Sequence, residues 1–380
     1  MIKNKIAIES TDLSNLAKAK SMLPKLSKEE EAFISDLPKE FKIDCPYFMQ
    51  EKMHYSGAAC VQMLSAFHGD PVPNQEDVAH SAGWDNWRFA NHESLSEDLV
   101  RHMARRNFVP AIYYPGRHIL PNFDVGIDGV DFISGNRDVM AEIDFSYFKA
   151  LLVNSRSPMF VRLHFNTTQY PMPEEMAQKL DHTGHGVLIV GYNEEGFIIN
   201  DPWNRDEWGG TRGGKDTLIT YFEMRHEGPA VNCCLDLIGS FTKPQAFIQV
   251  PPMAVYQERK LDLDLVIQSI GIPGIQSDIY CLENISVGLR VDDNLKSDSP
   301  LKIETSESLY PGKEVRIPIS VTTGEKTGSF PIYARVQASL KIPAYKWEEL
   351  GKEELITITT DVATRIDVKD KEWLNRYGRH

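Results

Sequence analysis

The sequence predicts an α+β domain followed by an all-β domain, and three observations carry that prediction. Apolar residues recur at helical spacing in the early segments, with strand-like runs after them and before residue 240. The stretch 241–252 holds Pro244, Pro251 and Pro252 and reads as a linker. Beyond it the apolar period becomes two and helix signals disappear. A length of 380 residues suits roughly two or three domains.

Residues 1–40 read as a charged helical extension: Ser27 with Glu30 forms a capping box ahead of Ala32, Phe33 and Ile34, and Pro38 closes the helix. The mixed domain covers 41–240. Its first helix runs over 56–67, with Ala59, Cys60, Met63, Leu64 and Phe67 at helical spacing and Gly69 placed to end it. A second starts at Ser94, where Glu97 completes a capping box and Leu95, Leu99 and Met103 face inward; a third spans 145–153. Strands are expected at 158–165, 186–192 and 197–200, the last two joined by a hairpin turn over 193–196 that contains Gly196. In the last domain, 253–380, Leu261, Leu263 and Leu265 alternate with Asp262 and Asp264. Further strands follow at 279–291, 315–321, 330–340 and 355–360, with turns at Pro311-Gly312 and Gly324. Strands so spaced, without helices, predict a β-sandwich of immunoglobulin-like type. The segment Leu309-Tyr310-Pro311-Gly312-Lys313-Glu314-Val315 resembles the turn and strand of adhesion-type modules of that class.

Composition narrows the function. Fifty-four acidic against forty-one basic residues leave a net charge of −13, which argues against a nucleic-acid footprint and against docking on an anionic membrane. No apolar run approaches the ~18 residues of a membrane span, and the first ten residues have no secretory character, so a cytoplasmic location is expected. Cys45, Cys60, Cys233, Cys234 and Cys281 are odd in number and lack metal-site spacing, so they read as free thiols. No cofactor or metal is expected, and the oligomeric state is not legible.

Two motifs imitate known sites. Gly209-Gly210-Thr211-Arg212-Gly213-Gly214-Lys215 fits the spacing of a phosphate loop, but Asp216 stands where Ser or Thr would hold magnesium, and no buried strand precedes it. His182 and His185 are three residues apart in a segment entering a strand, where they point to opposite faces, and His164 joins them only by assumption. Both are set aside. Gly83-Trp84-Asp85-Asn86-Trp87-Arg88-Phe89 can line a groove or pack between helices.

A third constellation has coherent chemistry. Ser56 opens the first helix, where the positive end of the helix dipole favours an anionic nucleophile. His185 lies on a strand and can act as base and then acid; Asp201 can hold the imidazole's other nitrogen. Gln50, six residues before Ser56, can donate to an oxyanion. Cys60, one helical turn beyond Ser56, is the other nucleophile to consider, but its face carries Leu64 and Phe67 and reads as core.

In this arrangement the chain resembles the papain-like cysteine peptidases, nearest to the bacteriocin-processing double-glycine leader peptidase-like family. Gln50, Gly57, Ala59, Gly184, His185, Val187, Gly191, Tyr192, Asp201 and Pro202 fit that family's pattern over about residues 41–240, and the spacing of about 130 residues between nucleophile and histidine fits too. The resemblance implies a papain-like fold of helices and antiparallel sheet that hydrolyses a peptide or amide bond through an acyl-enzyme. On the same scaffold an acyltransferase or amide-forming enzyme would use a thioester donor. The chain departs from the pattern at two places: Ser56 stands for the nucleophilic cysteine and Ala58 for a proline. Ser56 can be a replaced cysteine, a serine activated by general base, or the mark of a catalytically dead peptide-binding protein. An alkoxide is far more basic than a thiolate, so surroundings that ionise a thiol leave a serine protonated.

Overall fold

The computed structural model describes residues 35–81, 96–113, 145–164, 170–171, 184–226, 238–270, 280–342, 354–370, 372–373 and 376. The capping box of the N-terminal extension, Ser94, Leu95, the Gly83–Phe89 segment, His182, Cys233 and Cys234 lie outside these residues. Contacts divide the chain into two compact units, Met1–His102 with Ile112–Phe241, and Met103–Ala111 with Thr242–His380. Among the described residues, no helix is long and apolar enough to cross a membrane.

The first unit combines helices with an antiparallel sheet. Its elements begin with β1 (Phe41–Lys42), α1 (Ser56–Phe67), α2 (Gln75–Ser81), α3 (Ser96–Arg105) and β2 (Val109–Tyr113), the last two crossing into the second unit. Then come α4 (Ser146–Ser155), β3 (Met159–His164), β4 (Gly184–Tyr192), β5 (Gly196–Asp201), α5 (Arg205–Trp208), β6 (Gly214–Thr220), α6 (Tyr221–His226) and β7 (Ile238–Thr242). The sheet runs β2-β7-β3-β4-β5-β6, with β1 paired to the end of β4. Helix α1 has the expected bounds, and Gly69 beyond it takes the left-handed φ of +71° that a glycine adopts without strain. Its burial differs from the one-sided pattern expected: Ser56 through Ser65 are all buried, so the helix is enclosed rather than half-exposed.

Among its described residues, the second unit consists of strands and the turns that join them, apart from its first segment and helical residues at 372–373 and 376. It contains β8 (Gln245–Gln249), β9 (Val255–Tyr256), β10 (Lys260–Gln268), β11 (Leu282–Val291), β12 (Leu295–Ser297), β13 (Lys302–Thr305), β14 (Glu314–Thr323), β15 (Gly328–Ile342) and β16 (Glu354–Lys369). One sheet has the order β12-β14-β10-β8 and the other β13-β11-β15-β16-β9, antiparallel except for the β16–β9 pair. Period-two burial explains the strands: Leu261, Leu263 and Leu265 on β10, and Val315, Ile317, Ile319 and Val321 on β14, are buried. One expectation is corrected. Residues 245–249, read as part of a linker, form β8 and pair with β10 from Gln245↔Gln268 to Gln249↔Asp264. The prolines that suggested a linker flank this strand, where their missing N–H groups interrupt no ladder.

Candidate functional site

The site grows from the start of α1 and the β4–β5 hairpin. Strands β4 and β5 pair at Leu188↔Asn200, which puts Asp201 near Val187 on the neighbouring strand. Val187 and His185 share a strand face, so the diagonal brings the Asp201 carboxylate to the His185 imidazole. The contact is His185 Nε2 to Asp201 Oδ1 at 2.7 Å. Asp201 Oδ1 also accepts the Trp203 backbone N–H at 3.0 Å, and Oδ2 accepts the Tyr170 hydroxyl at 2.7 Å. With Asp201 as the acceptor of the Trp203 N–H and the Tyr170 hydroxyl, the same carboxylate accepts from His185 Nε2–H, an arrangement that turns Nδ1 away from Asp201.

Ser56 is joined to the same cluster through the backbone. Its Oγ accepts the Gly186 N–H at 3.1 Å, inside the protein. A donor aimed at this oxygen favours its anionic form, as does the N-terminus of α1. Gly186 is required by space: a Cβ there would lie 2.8 Å from Phe160 Cε2 and 3.4 Å from the Gly57 backbone nitrogen. Ser56 is 7% exposed, His185 2%, Gln50 1% and Asp201 0%, so bulk water reaches little of the cluster.

Gln50 lies beside this hairpin but is not set as expected. Its backbone N–H donates to Pro202 O at 2.8 Å, which ties its loop to the residue after Asp201. Its side-chain Nε2 donates to Lys52 O at 3.0 Å and to Met53 O at 2.8 Å, which engages both amide hydrogens. Gln50 thus shapes the loop entering α1, and donation to an oxyanion would require it to release one of these carbonyls. A second glutamine holds that loop from behind: Gln75 Oε1 accepts Glu51 N–H at 2.8 Å, and Gln75 Nε2 donates to Met49 O at 2.7 Å and Gln62 Oε1 at 2.9 Å.

Sequence reading missed Tyr170, Gln75, Gln62, Tyr47 and the role of Trp203. The Tyr47 hydroxyl donates to Asp201 O at 2.8 Å, and burial with the Asp201 charge pushes its phenol up to about 12. Trp203 is buried, donates its Nε1–H to Gly209 O at 2.9 Å and meets His185 edge-on with ring centroids 6.0 Å apart. Only Trp203 carried a signal, as the residue after Asp201-Pro202.

Of the two rival motifs, the glycine loop is described and His182 of the histidine pair lies outside the described residues. Gly209, Gly210 and Gly213 have positive φ in a loop that leads into β6, and Gly214, also at positive φ, opens that strand, so this loop leads to a strand and not to a helix N-terminus that could hold a phosphate. Among the described residues no cluster of His, Cys, Asp and Glu is placed to hold a metal. Cys60 is fully buried, and burial, with a further push from Asp201, raises its thiol well above its ordinary range, which disfavours the thiolate that a nucleophile needs.

No family model matches this chain, and no curated protein does. Among solved structures it is similar to the alpha-2-macroglobulin of Escherichia coli at 18% identity, over 33% of this chain and 16% of that one, with a TM-score of 0.23. It is also similar to the sporulation control protein Spo0M of Bacillus subtilis at 12% identity, over 35% of this chain and 51% of that one, with a TM-score of 0.21. A family 123 glycoside hydrolase of Clostridium perfringens follows at 11% identity, over 34% and 28%, with a TM-score of 0.20. Likeness at this level shows no family for the chain and assigns it no activity.

Proposed function

We propose that the first unit is a papain-like acyl-transfer domain that cleaves a peptide or amide bond, with residue 56 in the nucleophile's place. The observation that supports it is the convergence of Ser56, His185 and Asp201, separated by up to 145 positions in sequence, in one buried cluster bonded through Gly186 and Asp201. In this reading Nδ1 of His185 takes the nucleophile's proton, residue 56 attacks the carbonyl carbon, and the departing amine takes that proton. Water then releases the acyl group; an amine in its place would make the enzyme an acyltransferase or amide-forming enzyme. The second unit is, in the same proposal, an immunoglobulin-like sandwich, and the protein's setting is cytoplasmic.

Two observations favour a second reading. Both amide hydrogens of Gln50 are engaged and the nucleophile is a hydroxyl, which suits a protein that binds peptide without cleaving it.

Intact-mass labelling separates the readings. The Ser56→Cys variant is treated with an irreversible thiol electrophile from pH 5 to 9, beside Ser56→Cys/His185→Ala. The expected result is rapid labelling of the introduced thiol well below a free thiol's pKa of about 8.5, lost without His185. Labelling no faster than that of the double variant would leave the peptide-binding reading. A fluorophosphonate adduct on Ser56 in the unaltered chain would make the serine itself the nucleophile.

A further inference from the structure

Asp201 is held by more donors than the orientation of one imidazole requires. Its Oδ1 is shared by His185 Nε2 and the Trp203 N–H, at 2.7 and 3.0 Å, while Oδ2 receives the Tyr170 hydroxyl at 2.7 Å. Tyr170 is itself buried, and its ring lies against the His185 ring with centroids 4.5 Å apart and planes at 42°. It also meets Trp203 edge-on at 5.5 Å, so the two aromatic rings and the imidazole form one packed group. Burial, and then the Asp201 charge, push the Tyr170 phenol well up, so this hydroxyl keeps its proton and stays a donor at any working pH.

We propose that Tyr170 is a positioning residue that locks the Asp201 carboxylate and thereby selects the Nε2–H tautomer of His185. The physical reason is the rotation of a carboxylate about its Cβ–Cγ bond. Without Tyr170, both remaining donors crowd Oδ1 and Oδ2 loses a charge-assisted bond in a buried place. The carboxylate then turns to share its donors, and His185 loses the acceptor that fixes its ring. The aromatic contact adds a second constraint, because it resists the ring flip that would exchange the two nitrogens. The catalytic meaning of this tautomer rests on the reading proposed above; the tautomer itself does not.

The test reads the histidine directly. The full chain with Ser56 in place is labelled with 15N-histidine, and the His185 signals are assigned by their loss in His185→Gln. Near pH 8, where an ordinary imidazole is neutral, His185 is expected to show a protonated Nε2 and an unprotonated Nδ1. An Nδ1–H tautomer in the unaltered chain overturns the proposal with no variant needed. In Tyr170→Phe, which keeps the ring, the ratio of Nε2–H to Nδ1–H is expected to fall by about tenfold or more, the factor that a loss near 1.4 kcal/mol produces. An unchanged ratio in folded Tyr170→Phe overturns it as well. A shifted ratio beside an unreactive Ser56→Cys thiol would instead sink the acyl-transfer reading and leave the role of Tyr170 standing.

Discussion

At the scale of single residues, the chain's own thiols set the background against which an introduced nucleophile is read. Cys45 and Cys60 are both buried, and burial is the main cause that raises each. The Cys45 thiol moves from an ordinary 9.0 to about 12, with Lys215 and an Asn200 hydrogen bond opposing the shift. The sign follows directly: a raised pKa means less thiolate at any pH below it, so labelling slows and recovers only as pH approaches 12. A rise of that size leaves only a small fraction of the thiolate that a free thiol has near neutral pH. Peptide mapping after alkylation of the native chain at pH 8 is expected to find Cys45 and Cys60 unmodified while a free thiol reacts fully; modification at the free-thiol rate would refute their burial. The same residue scale explains how much of the site was legible. His185 and Asp201 were readable because a hairpin makes their spacing local. Tyr170 was not, because a lone tyrosine between β3 and β4 has no period or partner in sequence. Gln62 and Gln75 were not, because each amide finds its partners only after α1 and α2 have packed.

At the scale of elements, sequence period and turn chemistry placed most strands, and the exceptions have physical causes. In β8 only Ile248 is buried, so no apolar alternation marks the strand, whereas β10 alternates visibly. Strand β16 reaches Lys369 and pairs with β15 without a break from Gly328↔Val368 to Ile342↔Glu354; its second half buries Val362, Ile366 and Val368 at period two, but half-buried Thr364 interrupts the apolar series that marks the first half. The glycine of the β4–β5 turn is present for a reason other than turn geometry. Asn193 Oδ1 accepts the N–H groups of Glu195 and Gly196 at 2.9 and 3.0 Å, which forms the turn. Gly196 is needed because a Cβ there would lie 2.1 Å from the Ile219 carbonyl oxygen of β6. Backbone cannot swing aside as a side chain can. Gly196→Ala is expected to cost at least about 1–3 kcal/mol of stability, read as a lower urea midpoint; an unchanged midpoint would show that β6 yields.

At the scale of the whole molecule, the second unit is discontinuous in sequence. Its first segment, Met103–Ala111, precedes the rest of the unit, which begins at Thr242. Asn107 secures that segment by giving its amide to β16: Nδ2 donates to Thr359 O and Oδ1 accepts Thr359 N–H, both at 2.7 Å. Its φ of 68° is left-handed, a conformation that asparagine tolerates better than most residues. Asn107→Gly keeps the backbone and loses both bonds, for an expected loss of roughly 1–3 kcal/mol. Asn107→Ala should lose about 1 kcal/mol more, from the left-handed strain. Equal urea midpoints for the native chain and both variants would contradict this role for Asn107. The Asn107–Thr359 pair also sets an order of events during synthesis. The two residues are 252 positions apart, so at about 5–20 residues per second the ribosome leaves Asn107 without its partner for roughly 13–50 seconds. A nascent chain stalled before Thr359 must therefore hold the 103–111 segment unclaimed, which makes that interval the one in which a chaperone has most to protect.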